Sequence, residues 1–328
     1  MLSVETVDYH TAGEPFRIVT SVEVPGASVP DRRVFAQSSA EVDAVRQLLV
    51  NEPRGHADMY GGFVVPGNDS GAHFGVLFWH KDGYSTACGH GTIALGTWAV
   101  ESGLVPASPD GATDVVIDVP SGRVVARVTC VGGVVSSVAF RNVPSYVVGR
   151  GLTVSTSRGA VVADVSFGGA FYASVAVSSV GLSVIPACYA DLIAVGREIK
   201  WALDSQAVHP VDPRLNGIYG TIFYDDLGSW EGGPHQRNVA IFADGEVDRS
   251  PCGSGTSARL ALLYDEGLLA DDQVLRHESI VGTTFLGRVV EVAEDGVITE
   301  VEGAAYRTGT STFTLDPRDP LGTGFTLR

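Results

Sequence analysis

The stretch CGHGTIA at residues 88–94 returns as CGSGTSA at residues 252–258, and the likeness continues from ESGL at 101–104 to DEGL at 265–268. In both copies a cysteine stands directly before a Gly-x-Gly stretch that opens an apolar, helix-like run. A chain that repeats itself over much of its length usually folds as two similar halves. The repeat therefore predicts two duplicated half-domains, each with one cysteine at the N-terminus of a helix.

The residues of each copy indicate what this helix start can do. Glycines let a backbone approach a ligand without hindrance from a Cβ atom. A helix N-terminus offers unpaired N–H donors and about half a unit of positive charge, which should lower the pKa of the cysteine thiol and bind a carboxylate. Two thiols that face each other across a cleft can remove a proton from one face of a carbon and return one to the other face.

The pattern of apolar residues around the two copies predicts an α+β fold, in which each half is a strongly bent sheet around a central helix. Ser39 is a plausible N-cap and Gly103 a plausible helix terminator. Helices are expected at residues 40–49, 91–101, 190–204 and 254–266. Strands are expected at residues 3–9, 16–24, 63–65, 74–79, 115–119, 123–128, 134–140, 174–180, 220–224, 239–243, 287–292 and 298–301.

The limits of the two halves follow from the spacing of these elements. The first half-domain is expected to span residues 1–148 and to carry Cys88, and the second to span residues 149–309 and to carry Cys252. The C-terminal segment 310–328 is expected to join the first half, although its last residues, 322–328, could add a strand to either half. Residues 228–236 are expected to form a Gly/Pro-rich loop.

Composition and charge exclude several classes of protein. A chain of 328 residues is long enough for two domains, and its 45% apolar and 18% charged residues are typical of a folded globular protein. A net charge of −16 argues against binding to nucleic acid or to an anionic membrane. No apolar run reaches the roughly 20 residues of a membrane span, and the first ten residues do not resemble a signal peptide. Four cysteines without a CxxC pair favour free thiols in a reducing, cytoplasmic setting.

Cysteines also have other common roles. An unpaired cysteine is most often a small buried hydrophobe, which is our interpretation of Cys130 and Cys188. Independent burial does not explain the matching contexts of Cys88 and Cys252, and the reducing setting argues against a disulfide between them. Both loops fit a dinucleotide-binding GxGxxA pattern, but no strand runs directly into the first glycine of either loop, and no Gly-Lys-Ser/Thr of a P-loop follows.

Two polar residues stand next to the cysteines. Asp248 lies four residues before Cys252, and His90 lies two residues after Cys88. Both could hold a cationic amine, although a turn or capping role for the aspartate and a structural role for the histidine are open alternatives. The remaining histidines show no metal-ligand spacing, so no metal is expected, and the lysines do not suggest a Schiff base with pyridoxal phosphate.

Four long motifs of the chain resemble those of the proline racemase family, which includes hydroxyproline 2-epimerases and trans-3-hydroxy-L-proline dehydratases. The motifs are DYHTAGEP at residues 8–15, RGHADMYG at 54–61, YSTACGHG at 84–91 and DRSPCGSGT at 248–256. The resemblance runs over nearly the whole chain. It implies a fold like that of diaminopimelate epimerase with the active site between two domains, no cofactor, a proline or hydroxyproline as substrate, and usually a homodimer.

The resemblance also implies roles for individual residues. Cys88 and Cys252 would be the acid/base pair, and Asp248 would contact the ring nitrogen of the substrate. The residues implied around the substrate carboxylate and nitrogen are Gly89, His90, Gly253 and Ser254. Tyr60 and Phe242 would line the pocket for the ring.

Two features of the chain indicate different reactions within this family. The presence of both cysteines goes with racemisation or epimerisation, because the dehydratases typically replace the second cysteine with threonine. The stretches GYST at 83–86 and IYGT at 218–221 are closer to the dehydratase branch.

We therefore predict a cofactor-independent racemase or epimerase that inverts Cα of proline or a hydroxyproline. The alternative is a trans-3-hydroxy-L-proline dehydratase that uses Cys88 as base and forms pyrroline-2-carboxylate. A carboxylate-binding or thiol-redox protein is the alternative that is not an enzyme.

Overall fold

The structure, a computed structural model, describes residues 2–327, which divide into two compact units. The first contains residues 2–138 and 304–327, and the second contains Ala139–Gly303. The limits of these compact units lie near the predicted domain limits at residues 148 and 309. The predicted limits remain a proposal, because a compact unit need not be a domain that folds independently. Within residues 2–327 no helix combines the length and the apolar character needed to cross a bilayer.

The first unit contains three helices and a sheet, and it receives the C-terminal strand of the chain. Its helices are α1 (Val29–Ser38), α2 (Ala40–Val50) and α3 (Gly89–Glu101). Its strands are β1 (Leu2–Thr11), β2 (Glu14–Val19), β3 (Gly61–Val65), β4 (Phe74–His80), β5 (Gly83–Tyr84), β6 (Gly111–Val119), β7 (Gly122–Val131), β8 (Val134–Arg141), which continues into the second unit, and β18 (Ala305–Leu315).

The second unit, residues 139–303, contains two α-helices, four short 3₁₀ helices and the remaining strands. Its helices are α4 (Tyr189–Leu203) and α5 (Gly253–Asp265). Its strands are β9 (Tyr146–Thr156), β10 (Gly159–Phe167), β11 (Phe171–Ala176), β12 (Ile218–Trp230), β13 (Gly233–Phe242), β14 (Glu246–Val247), β15 (Leu275–Ser279), β16 (Thr284–Ala293) and β17 (Gly296–Gly303).

Strand pairing confirms that the two units are copies of one fold. In the first unit, successive pairs from β1–β2 through β3, β4 and β6 to β7 are antiparallel, parallel, antiparallel, parallel and antiparallel. In the second unit, the pairs from β10–β11 through β12, β13 and β15 to β16 follow the same order. The predicted α+β class with two duplicated halves is therefore confirmed.

Each unit packs its sheet around one central helix. Helix α3 lies against β1, β2 and β7, and α5 lies against β10, β16 and β17. The first ten residues of α5 are buried without exception, and α3 is buried along most of its length. A helix that is buried on every side belongs in the core of a domain, which explains why charged residues are rare in both helices.

Several predicted elements are wrong in detail. Residues 228–236 form no open loop, because β12 and β13 make a long hairpin that turns at Trp230–Gly233. Gly228, at φ 86°, marks a bulge in this hairpin, which is a common role for glycine within strands. Residues 177–180 form a 3₁₀ turn, and residues 20–24 lie outside β2. Residues 322–327 do not form the strand that was predicted for 322–328, because Phe325 makes only an isolated bridge to Glu52. Arg328 lies outside the described residues.

Candidate active site

Cys88 caps the N-terminus of α3 with its thiol. Its backbone is extended (φ −156°, ψ 103°), and Sγ accepts a hydrogen bond from the N–H of Gly91 at 3.2 Å. Serine or aspartate more often has this role. The residue is only 4% exposed, so the thiol lies in a nearly closed environment at the positive end of the helix.

Gly91 is required by this close approach. A Cβ atom at this position would lie 2.4 Å from the ring of Phe16 and 2.8 Å from Sγ of Cys88. Gly89, the first residue of α3, is buried as well. The glycines of the first copy thus let the helix start approach the neighbouring strand and its own cysteine.

His90 and Tyr60, two of the residues proposed to contact the substrate, lie beside the first thiol. The nearer ring nitrogen of His90 is 3.5 Å from Sγ of Cys88, and the ring of Tyr60 meets the imidazole edge to face at 4.9 Å. The carbonyl of His90 accepts a hydrogen bond from Thr11 Oγ1 at 2.9 Å, and the hydroxyl of Tyr60 bonds to Ser85. These contacts fix the imidazole and the phenol in a buried cluster around Cys88.

Cys252 begins α5 in a different backbone conformation. Its φ of 63° and ψ of 103° are rare for a residue with a Cβ atom. Its Sγ is 3.7 Å from the hydroxyl of Tyr172, which in turn bonds to Ser254 Oγ at 2.7 Å. Gly253 and Ser254 form the first turn of the helix and are buried.

Asp248 lies next to Cys252 and is 3% exposed. Its Oδ1 accepts hydrogen bonds from the backbone N–H and from Oγ of Ser250, at 2.8 and 2.7 Å. Burial raises the pKa of Asp248 to about 6, and the bonds from Ser250 offset only part of that rise. The carboxyl group is therefore mostly ionised at neutral pH, at a cost in stability.

The expectation of a lowered thiol pKa is wrong for Cys252. Burial raises the pKa of this thiol well above its usual value, and the negative charge of Asp248 adds to the effect. The hydrogen bonds from the Tyr172 hydroxyl and from the N–H of Gly255 lower the pKa but do not overcome these two contributions. At neutral pH Cys252 is therefore a thiol, which suits a proton donor better than a base.

Phe242 reaches Cys252 through two tyrosines. Its ring stacks on Tyr219 at 5.5 Å, and Tyr219 meets Tyr172 edge to face at 5.8 Å. Tyr172, with Ala240 and Cys252, belongs to one buried cluster. Aromatic contacts thus connect Phe242, the residue proposed for the pocket, to the side chain that touches the thiol.

The sequence did not indicate Tyr172 or Ser250 as site residues. Tyr172 is 80 residues from the cysteine that it contacts and lies on a strand with no motif. Ser250 was visible inside the motif DRSPCGSGT, and its position two residues from both Asp248 and Cys252 is the available signal. Among the remaining cysteines, Cys130 is buried as expected, whereas Cys188 is only half-buried; none of the four forms a disulfide within residues 2–327.

His277 supports the second helix start and makes the unit sensitive to acid. Its Nδ1 lies 2.8 Å from Thr256 Oγ1, and burial, with a smaller effect of Arg259, lowers its pKa from 6.5 to about 3. As the pH falls, the unfolded chain therefore binds a proton before the folded one does. Stability is complete above pH 6.5 and declines toward pH 3.

We expect the free energy of unfolding to fall by about 2 kcal/mol through His277 alone when the pH drops from about 6.5 to about 5. Urea unfolding at a series of pH values would measure this decline. The His277→Asn variant should lose that part of the pH dependence. An identical slope in the variant would contradict the assignment.

The fold and the two repeated helix starts define a class of enzymes with duplicated halves and one buried cysteine in each half. A model of the proline racemase family matches residues 6–326, and the chain belongs to that family. It is 46% identical to a trans-3-hydroxy-L-proline dehydratase of Azospirillum brasilense, over 99% of this chain and 98% of the relative. It is 45% identical to a 3-hydroxyproline 2-epimerase of Burkholderia multivorans, again over 99% of this chain and 98% of the relative.

A solved structure extends the likeness to the fold. The crystal structure of a hydroxyproline epimerase from Agrobacterium vitis with bound trans-4-hydroxy-L-proline superposes with a TM-score of 0.92. The two chains are 29% identical, and the match covers 99% of this chain and 96% of the epimerase. The chain is therefore an enzyme with the fold of this family, and its relatives include both isomerases and lyases.

Proposed function

We propose that this enzyme inverts Cα of a hydroxyproline, with 3-hydroxyproline as the first substrate to test. The observation that carries the proposal is the buried cysteine at the start of each repeated helix, since α-proton transfer to and from two faces needs two such groups. The names of the 45–46% identical relatives both concern 3-hydroxyproline, which supports this substrate over proline and 4-hydroxyproline.

In the proposed mechanism, Cys88 and Cys252 act on opposite faces of the same carbon. The Cys88 thiolate takes the α-proton, so that the C–H bond breaks and its electron pair enters an enolate-like anion. The Cys252 thiol gives its proton to the opposite face, which leaves Cys88 as a thiol and Cys252 as a thiolate. The raised pKa of Cys252 supports its role as the resting acid.

The helix starts would bind the substrate carboxylate. Gly89 and His90 in one copy, and Gly253 and Ser254 in the other, bring the N–H groups of a helix N-terminus, whose partial positive charge favours an anion. These donors would also stabilise the extra charge that the carboxylate acquires when the α-proton leaves.

The ring of the substrate needs other contacts. We assign the ring nitrogen, a cation before the reaction, to the Asp248 carboxylate, which is mostly ionised at neutral pH. We assign the sides of the ring to Tyr60 and Phe242. Both aromatic residues are buried beside a cysteine of their own unit or connected to it.

Dehydration of trans-3-hydroxy-L-proline is the second candidate function. The 46% identity to a relative named for this reaction favours it. Once Cys88 has removed the α-proton, the anion can expel the 3-hydroxyl as water if an acid protonates it, and the product is a pyrroline-2-carboxylate. Which reaction dominates depends on whether Cys252 protonates Cα before the hydroxyl leaves.

Proton NMR in D2O with trans-3-hydroxy-L-proline, trans-4-hydroxy-L-proline and L-proline in separate samples tests the proposal. We expect deuterium at Cα together with the epimer of the 3-hydroxy compound. Conversion to a pyrroline-2-carboxylate without epimer would establish the dehydratase. The absence of exchange and of turnover with all three compounds would refute both candidates.

We further propose that the enzyme works as a cytoplasmic homodimer and without a cofactor. The family resemblance supports the homodimer and the absence of a cofactor, and the sparse cysteines of the sequence support the compartment. Analytical ultracentrifugation tests whether the enzyme is a homodimer. Activity that survives treatment with a chelator would support the absence of a metal cofactor.

A further inference from the structure

Cys252 is held in a backbone conformation that cysteine rarely adopts. Its φ is 63°, whereas Cys88, at the matching position of the repeat, has a φ of −156°. A residue with a Cβ atom is strained in such a region, and this conformation persists only where its surroundings fix it. The residues that fix Cys252 are therefore candidates for a functional role.

Three buried side chains hold the peptide bond that leads into Cys252. The carbonyl of Pro251 accepts hydrogen bonds from Asn238 Nδ2 at 3.0 Å and from Thr256 Oγ1 at 3.1 Å. The N–H of Cys252, at the other end of the same peptide bond, donates to Ser250 Oγ at 3.0 Å. Rotation of this peptide plane, which would change φ of Cys252, therefore breaks three hydrogen bonds.

His277 fixes the direction of the Thr256 hydroxyl. A hydroxyl has one hydrogen, and we assign that of Thr256 to the Pro251 carbonyl, so that Thr256 Oγ1 accepts from Nδ1 of His277 at 2.8 Å. The low pKa of His277 keeps the imidazole neutral. Its single proton is therefore on Nδ1, and this bond prevents the hydroxyl from turning to another acceptor.

The first copy uses its matching threonine differently. Thr92 Oγ1 donates to the carbonyl of Cys88 itself at 2.8 Å. The peptide that leads into Cys88 is thus not held by this hydroxyl, and the backbone there is extended. In the second copy, where the cysteine is strained, the threonine hydroxyl instead bonds to the carbonyl of the peptide bond that precedes the cysteine.

We propose that Thr256, Asn238 and His277 are positioning residues that keep Cys252 at positive φ and thereby direct its thiol toward the substrate. This inference rests on the proposed two-cysteine function. Loss of the Thr256 hydroxyl lets the peptide rotate and moves Sγ, while Cys88 keeps its own contacts. Proton transfer on the face served by Cys252 then slows, and proton transfer on the other face continues.

The Thr256→Val variant tests this inference, because valine keeps the shape of threonine and lacks the hydroxyl. In D2O, with the epimer whose α-proton faces Cys88, inversion should fall about 100-fold, the usual effect of a displacement of about 1 Å. Exchange with retention should persist, so the ratio of exchange to inversion should rise. Thr256→Ser keeps the hydroxyl and loses the methyl group, and it should retain the wild-type ratio even if it melts at a lower temperature.

Thr97→Val is the matched control. Thr97 is a buried threonine of α3 whose Oγ1 donates to Ile93, and its loss should leave the ratio of exchange to inversion unchanged. The His277→Leu variant should shift the ratio in the same direction as Thr256→Val. A Thr256→Val enzyme with the wild-type ratio would overturn the inference.

Crystal structures of the wild type and of Thr256→Val separate this inference from the proposed function. The φ of Cys252 should be positive in the wild type and negative in the variant, whatever substrate the enzyme uses. Positive φ in both would overturn the inference even if epimerase activity is found. Absence of exchange in the wild type, with the expected change in φ, would refute the proposed function and leave the structural role of Thr256.

Discussion

Replacement of either Cys88 or Cys252 by serine is expected to lower the rate of inversion at Cα by about 10²–10⁴-fold, the usual contribution of one acid/base group. A thiol ionises near pH 8.5, whereas a serine hydroxyl is far less acidic and supplies almost no base at neutral pH. Inversion needs both faces, so each single variant should fail. The epimer of 3-hydroxyproline, quantified by chiral chromatography, measures the effect.

The same two variants distinguish the epimerase from the dehydratase. Elimination needs a base on one face only, so Cys252→Ser should keep most of a dehydratase activity, whereas Cys88→Ser should abolish it. Cys130→Ser is the control, because Cys130 is also buried but belongs to the strand β7 and not to a helix start. Full inversion by the Cys252→Ser enzyme would contradict the two-cysteine mechanism.

The sequence predicted the parts of the fold that depend on local pattern. The repeat around Cys88 and Cys252 located both central helices to within two residues at their starts, because Gly-x-Gly followed by an apolar run is a local signal. Ser39 was found as an N-cap for the same reason, and its hydroxyl accepts from the N–H of Val42.

The sequence failed where distant residues decide the structure. Strand β18 was missed because its threonines alternate with small and apolar residues on a surface strand, and its pairing partner β1 lies at the other end of the chain. The β12–β13 hairpin was predicted as a loop because Gly228 and Pro234 are common turn residues. Cross-strand pairing overrides that local preference.

The pKa of the Cys252 thiol could not be predicted from the sequence either. A helix N-terminus predicts a lowered thiol pKa, and this rule ignores burial. Cys252 is enclosed by residues from several strands and lies beside the Asp248 carboxylate, and both effects raise its pKa. The raised pKa of Cys252 therefore depends mainly on burial by strands that are distant in sequence, which the local motif does not show.

Asp248→Asn is expected to stabilise the protein and to inactivate it. The folded-state pKa of Asp248 is about 6 instead of 3.8, so burying the charged carboxylate costs about 3 kcal/mol at neutral pH. Because the folded pKa is raised, the contribution of Asp248 to stability is present below pH 3.8 and is lost as the pH rises through about 6. Asparagine keeps an acceptor for Ser250 without the charge, so the variant should gain about 1–3 kcal/mol at pH 7.5.

Urea unfolding at pH 7.5 and at pH 4 separates this effect from other causes, because the gain of Asp248→Asn should nearly vanish at the lower pH. Asp118→Asn is the matched control: Asp118 is equally buried but pairs with Arg123 at 2.8 Å, so its loss should destabilise the protein.

Removal of the negative charge in Asp248→Asn should also lower the pH at which iodoacetamide modifies Cys252, since Asp248 raises the pKa of that thiol. Loss of the ring-nitrogen contact should reduce epimerisation by about 100-fold or more. A variant that is less stable than the wild type at pH 7.5 would show that the Asp248 carboxylate is held by favourable contacts, and it would remove the physical basis for the stability cost proposed at this site.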